Sequence, residues 1–500
     1  MSRSTITGVT RGLLAIAICA AAADARAGEP ELIAAIKAGD HIAARALLMR
    51  TKKADVAEAD GTTALHWAVR SDDGELVRDL LRAGANPNAA NRYGMQPLML
   101  AAMNGAPAMV DALLRAGADP NASLPEEGAT TLMMAARTGQ PDVVKALLTY
   151  GADPNGRESA YGETALIWAA EENNAAAVER LIDGGADIDT LSAQTHFPGP
   201  RAGQSVLPRG GWTPLMYAAR QGALAAAQTL ADDGATLDLA APDGITALVL
   251  AIINVHYDVA AMLLRQGADP NVADQTGMAA LYAVVDMNTL PWAHGRPRPK
   301  PEEDMDGIAM ARLLIANGAN VNAVLKGPKP QRQHTAGDPG LGAGATPLMR
   351  AAKAGDIPMM KLLLEHGADP TARLKNGTTL FMLAAGMGWR GGFDTNRDPG
   401  TEAGAIAAMK VCLDLGADVN AVNANGQTAL HGAIGRGPDV IRFLVDHGAD
   451  VHARDKAGRT ALDLALRARD QNAGADHVGS GVREAAVAIL QKLQPSTDDR

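Results

Sequence analysis

Three histidines stand in separate proline-rich stretches: His196, His294 and His334. Brought together with Asp338 or Asp394, they could form a metal site or an acid–base pair, because neutral imidazole is both a ligand and a proton carrier. Little else in the chain suggests catalysis. There is no Gly-rich phosphate loop, no H-E-x-x-H, no C-x-x-C and no G-x-S-x-G. Gly342-Ala343-Gly344 and Gly386-Met387-Gly388 follow no strand pattern, so neither reads as a dinucleotide fingerprint. No catalytic residue, no cofactor and no metal are expected.

The elements that would position such residues repeat along the chain. One phrase, Gly-x-Thr-[Ala/Pro]-Leu, appears as Gly61-Thr62-Thr63-Ala64-Leu65-His66. A second, Leu-Leu-x-x-Gly-Ala-[Asp/Asn], appears as Leu80-Leu81-Arg82-Ala83-Gly84-Ala85-Asn86. The leucine of the first phrase recurs from Leu65 to Leu462 at intervals of 32–34 residues, apart from intervals of 49, 67 and 49. Thr is a good helix N-cap. Pro214 and Pro347 suit the first helical turn. Gly84 and its equivalents suit a helix end that turns left-handed. Each unit therefore reads as turn, helix, short loop, helix.

This pattern resembles the ankyrin-repeat family, whose period it shares and whose Thr-Pro-Leu-His phrase it approaches as Thr63-Ala64-Leu65-His66 and Thr213-Pro214-Leu215-Met216. The resemblance implies an all-α solenoid of about eleven repeats with capping units, a fold that binds proteins and is not an enzyme. Expected segments are a signal peptide over 1–27, an N-terminal capping half-repeat over 28–58 and repeats 1–4 over 59–192. An insertion over 193–210 follows, then repeats 5–7 over 211–322, interrupted at 289–304. A third insertion fills 323–343. Repeats 8–10 cover 344–456, interrupted at 386–403, and a C-terminal capping repeat and tail occupy 457–500. The family's histidine survives only at His66 and His431, and both read as structural.

The four insertions hold 11 of the 27 prolines, so they do not extend helices. Two lengthen the turn between units and two lengthen the loop inside a unit. The resemblance puts those loops at opposite ends of the helix pair, which separates His196, His294 and His334. Insertion residues Trp292, Arg296, Arg298, Trp389, Arg390 and Phe393 have the composition of binding hot spots. Ankyrin proteins bind through turn tips and first-helix ends. On that basis Trp212, Ile245 and Met278 should line up as an exposed apolar strip, joined by Ile253 and Met287.

Charge and composition narrow the partner. The chain has 500 residues, a net charge of −10 and only 3 % aromatic residues. That balance argues against nucleic acid, which selects basic surfaces. A protein partner is expected; the alternative is a structural or protective role at the envelope, with peptidoglycan or glycan contact through Trp292 and Trp389. Arg3 and Arg11, the apolar run Gly12 to Ala23 and Ala25-Arg26-Ala27 read as a cleavable bacterial secretory signal cut after Ala27, giving a periplasmic or secreted chain. The run is too short to span a bilayer, which takes roughly 20 residues. Ile18 counts against lipidation at Cys19, and Cys412 reads as an inert core residue.

Overall fold

The computed structural model describes residues 30–194, 210–289, 305–327, 341–388, 401–470 and 480–493. Its described elements are 24 α-helices, arranged as successive antiparallel pairs. The chain divides into two units. The first comprises residues up to Thr195 with Arg209–Thr236, and the second runs from Leu237 onward.

Local sequence accounts for each helix pair. Thr63, Thr130, Thr164, Thr213, Thr246, Thr346 and Thr379 hold extended backbone, and each side chain accepts from the N–H three residues on. That satisfies one donor the first turn would leave orphaned. Second helices open on Asp73, Asp306 or Asp356 as caps, or on Pro107, Pro141 or Pro438. They end at glycines such as Gly84, whose φ of +90° is one that side chains with a Cβ rarely adopt.

Within the first repeat, helix Ala64–Arg70 buries Leu65, Ala68 and Val69 against Leu76, Val77 and Leu80 of helix Gly74–Arg82. Within each unit, first helices pack on first helices and second on second. The first unit begins with the short pair Glu31–Lys37 and His41–Thr51, and the second ends with Ala461–Asp470 and Ser480–Lys492.

The two conserved-phrase histidines are structural, as the sequence indicated. His66 Nδ1 accepts from the Thr63 N–H at 3.1 Å, and its Nε2 faces the Met95 carbonyl of the next repeat at 2.9 Å. The partners dictate a proton on Nε2. His431 repeats the arrangement with Thr428 and Arg459. Met133 places sulfur where His66 places Nδ1, and Asp463 places a carboxylate there. Burial lowers the His66 pKa, with the Met95 hydrogen bond opposing it. A depressed histidine favours the fold above its unfolded pKa of about 6.5, and stability should fall as pH drops through that value. A His66→Met variant melted across pH 5–8 should lose this slope at a cost of about 1 kcal/mol for the abandoned carbonyl.

A second ladder runs along the turns. Asn88, Asn121 and Asn155 in the first unit, and Asn271, Asn322 and Asn420 in the second, each donate to the carbonyl of the next helix-ending glycine. In the next turn, the backbone N–H of Asp119 donates to Asn88 Oδ1 at 2.8 Å, and the other five rungs close in the same way. Asp238 takes this place at the start of the second unit, where it accepts from the Asp269 N–H at 3.0 Å. In the other six rungs an Asn amide at this place donates to the following glycine carbonyl, a bond that a carboxylate cannot make. Burial raises the Asp238 pKa, and the Asp269 charge adds to that. A raised carboxyl favours the fold below its unfolded pKa of about 4 and loses that contribution as pH rises through the folded value. Asp238→Asn should therefore raise stability by about 1 kcal/mol at pH 7, and the gain should vanish near pH 3. An unchanged melting temperature at pH 7 would refute this account of the rung.

Candidate functional site

The expected apolar strip of turn tips is not exposed. Ile245 is 1 % and Met278 0 % exposed, and Met287 is 7 % exposed. Ile253 and Trp212 are half-buried. The cause is general, because the residue after the turn glycine folds beneath the hairpin. Met95, Ala129, Glu163, Ala345 and Thr378 occupy the same place and are buried too. Its carbonyl closes the hairpin, as when the Asp274 N–H donates to Met278. Tyr93, one residue before its turn glycine, is exposed instead. The insertion candidates Trp292, Arg296, Arg298, Trp389, Arg390 and Phe393 lie outside the described residues, as do His196, His294, His334, Asp338 and Asp394.

The necks of two insertions are nonetheless defined. Ser192 donates its N–H to the Trp212 carbonyl at 3.0 Å, and the Gly211 N–H returns to Ser192 at 3.1 Å. The N–H of Leu325 donates likewise to the Ala345 carbonyl, and that of Gly344 to Leu325. These bonds reproduce the hairpin that uninterrupted repeats close over a few residues, as between Asn91 and Met95. Deleting 195–210, so that Gln194 joins Gly211, should leave the repeat folded and slightly stabilised, by about 1 kcal/mol from the shorter loop. Loss of cooperative melting in the deletion would contradict the closed neck.

A different surface in the first unit carries the hot-spot chemistry. The fourth residue of each first helix, or its equivalent, is Trp67, Leu100, Met134, Trp168 or Tyr217. A helix buries one stripe, and this position sits at its open edge. Leu100, Met103 and Trp168 pack, half-buried, on a core that includes Met95, Met99, Leu124 and Met134. Trp67 is half-buried as well.

Both indoles are pinned by carboxylates. Trp67 Nε1 donates to Glu58 at 2.9 Å, and Glu58 also pairs with Lys37. Trp168 Nε1 donates to Glu163 at 3.1 Å, and the Tyr217 hydroxyl donates to the other Glu163 oxygen at 2.8 Å. Cations lie over the rings. Lys37 and Arg70 are 4.5 and 5.1 Å from the Trp67 centroid, Arg137 is 5.7 Å from Trp168 and Arg220 is 5.4 Å from Trp212. Trp212 meets Tyr217 edge-on at 5.5 Å. Three of the chain's five tryptophans thus stand on or beside this row. Sequence reading missed Trp67 and Trp168. The signal was available, since each follows the His66-type position by one residue.

Nothing in this row suits bond-making chemistry. Its carboxylates serve indole, phenol and ammonium donors, and Cys412, in the second unit, is buried with its thiol pushed up to about 12. What the row offers is flat, fixed aromatic area with guanidinium groups beside it, the mixture on which protein contacts concentrate their binding energy. No helix among the described residues is long and apolar enough to cross a membrane.

Comparison with known proteins identifies the repeats. A model described as ankyrin repeats in three copies matches residues 13–91, 32–124, 98–192, 196–274 and 401–474. A single ankyrin-repeat model matches 343–375. No curated protein matches the chain. Among solved structures, the chain is similar to the human ASB11 ankyrin repeat domain at 24 % identity and a TM-score of 0.40, covering 48 % of this chain and 99 % of that one.

Proposed function

This chain belongs to the ankyrin-repeat family, and on that premise we propose that it is an exported scaffold that binds a protein partner. The observation that carries the reading is the row of pinned indoles on the first-helix face of the first unit. Ankyrin repeats generally mediate contact between proteins. Aromatic residues with Arg at a half-exposed, well-packed position are the usual anchors of such contacts. Pinning removes rotamer freedom before the partner arrives, which lowers the entropy lost on binding.

Export is supported by the basic, then apolar, then Ala-x-Ala character of residues 1–27. Trp292, Arg296, Arg298, Trp389, Arg390 and Phe393 remain candidates for supplementary contact.

The test is site-specific photocrosslinking in intact cells. A crosslinker at Met103, on the first-helix face, should trap a defined protein, and one at Arg78, on a second helix, should not. The Met103 adduct should disappear when Trp67→Ala and Trp168→Ala are combined. Equal trapping from both positions, or trapping indifferent to the two tryptophans, would remove this surface from the function. A glycan adduct instead of a protein would replace the reading with the envelope one.

A further inference from the structure

We propose that the hairpins of the last four repeats, in the second unit, form a cationic row that binds an acidic segment of a protein, one with aliphatic residues between its carboxylates. This row is separate from the aromatic row of the first unit and does not depend on it.

The first observation is register. Leu325, Leu374, Asn423 and Asp455 are buried, and each donates its backbone N–H across its own hairpin, to Ala345, Thr378, Gln427 and Arg459, at 2.9–3.0 Å. Along an extended segment successive side chains point to opposite faces. The residues on either side of each buried one therefore point outward. They are Val324 and Lys326, then Arg373 and Lys375, then Val422 and Ala424, then Arg454 and Lys456, and all are exposed.

The second observation is contact between hairpins. The N–H groups of Lys375, Ala424 and Lys456 donate to the carbonyls of Ala343, Asn376 and Asn425 in the preceding hairpin at 2.8–2.9 Å. The outward pairs thus form one continuous surface, on which the aliphatic pair Val422 and Ala424 lies between two cationic pairs.

The third observation is charge. Lys326, Arg373, Lys375 and Lys456 make no ion pair among the described residues, and Arg454 reaches Asp463 only at 4.0 Å. The carboxylate of Asp455 is buried and taken by Arg459 at two points, 2.7 and 3.0 Å. Asp369, Asp418 and Asp450, nearby in sequence, each accept from the N–H two residues on in their own turns. On a chain of net charge −10, this row is a local reversal of sign. A continuous positive face selects a negative partner. A uniformly charged polyanion would leave Val422 and Ala424 idle. A lipid surface is usually met with Trp or Tyr at the interface, and the row has neither.

The experiment titrates the full-length protein into fluorescein-labelled Glu-Glu-Leu-Leu-Glu-Glu, followed by anisotropy at about 0.15 M salt, where distant charges are screened. Gln-Gln-Leu-Leu-Gln-Gln and Glu-Glu-Ser-Ser-Glu-Glu are the controls. The first peptide should bind at least about tenfold more tightly than either control, and Arg373→Glu with Lys375→Glu should weaken it at least about tenfold, because like charges then face each other. Lys361→Glu with Lys410→Glu makes the same change of net charge at exposed places on second helices. It should leave the affinity within about twofold. Both double variants should keep the melting temperature, since every substituted side chain is exposed. Equal affinity for the three peptides, no binding, or equal losses from the two double variants overturns the proposal. So does binding to phosphatidylglycerol vesicles without binding to the peptide, which would make the row a lipid-facing one. Failure here leaves the crosslinking test from Met103 untouched, because that test rests on Trp67 and Trp168.

Discussion

Asp286→Ala should destabilise the second unit by about 3–5 kcal/mol, the usual consequence of stripping one partner from a buried ion pair. Asp286 lies on helix Ala280–Thr289, and Arg350 lies on helix Pro347–Ala354 packed against it. The Arg350 Nε donates to Asp286 at 2.8 Å, with side-chain exposures of 2 % and 4 %. A guanidinium cannot shed its proton to escape this environment. Removing Asp286 therefore leaves a charge that burial has desolvated. Arg350→Ala should cost a similar amount, for the mirrored reason. The double variant Asp286→Ala with Arg350→Ala should cost clearly less than the sum of the single changes, because it takes both charges away together. Urea melts of the four proteins measure the cycle. Single changes that each cost under about 1 kcal/mol and simply add would show the pair to be incidental.

The two units fill the fourth place of their first helices differently. In the first unit it carries Trp67, Leu100 and Trp168, which are half-buried, and Met134 and Tyr217, which are buried. In the second unit it carries Leu250, Ala283, Arg350, Leu383, Gly432 and Leu464, and the one charged member is neutralised by Asp286 inside the core. The aromatic members belong to the first unit, and the functional reading falls there.

Much of this was legible in the residues. Thr caps, glycine helix ends and a period near 33 define the helix pairs without reference to any long-range contact. The short helix pairs at Glu31–Thr51 and Ala461–Lys492 also follow from local pattern. What failed was orientation within the turn. Ile245 and Met278 were read as outward because the residue after a turn glycine sits at the tip in sequence, yet the hairpin folds it under. The Asp286–Arg350 pair spans 64 residues and an interruption, so no local window could join them. Trp67 and Trp168 were within reach of helical periodicity.

Gly432 to Ala is the other substitution with a large expected effect, and here two principles predict opposite signs. Gly432 occupies the fourth place of helix Ala429–Ala433. On propensity alone, Ala inside a helix is better than Gly by about 1 kcal/mol. A Cβ at Gly432, however, would lie 2.8 Å from both the Cα and the N of Met387. Those are backbone atoms, and the Met387 N–H is bound to the Met382 carbonyl at 2.8 Å, so they cannot swing aside as a side chain would. Gly386, at φ +114°, sits against the Gly432 carbonyl from the other side. Overpacking a fixed contact costs about 1–3 kcal/mol or more, which exceeds the propensity gain. Gly432→Ala should therefore destabilise. Gly481→Ala, in helix Ser480–Lys492 with nothing within 4 Å of its Cβ position, should stabilise by about 1 kcal/mol. Paired urea melts decide the matter. If both substitutions stabilise, the close backbone approach between helices Leu380–Ala385 and Ala429–Ala433 is not what the second unit depends on.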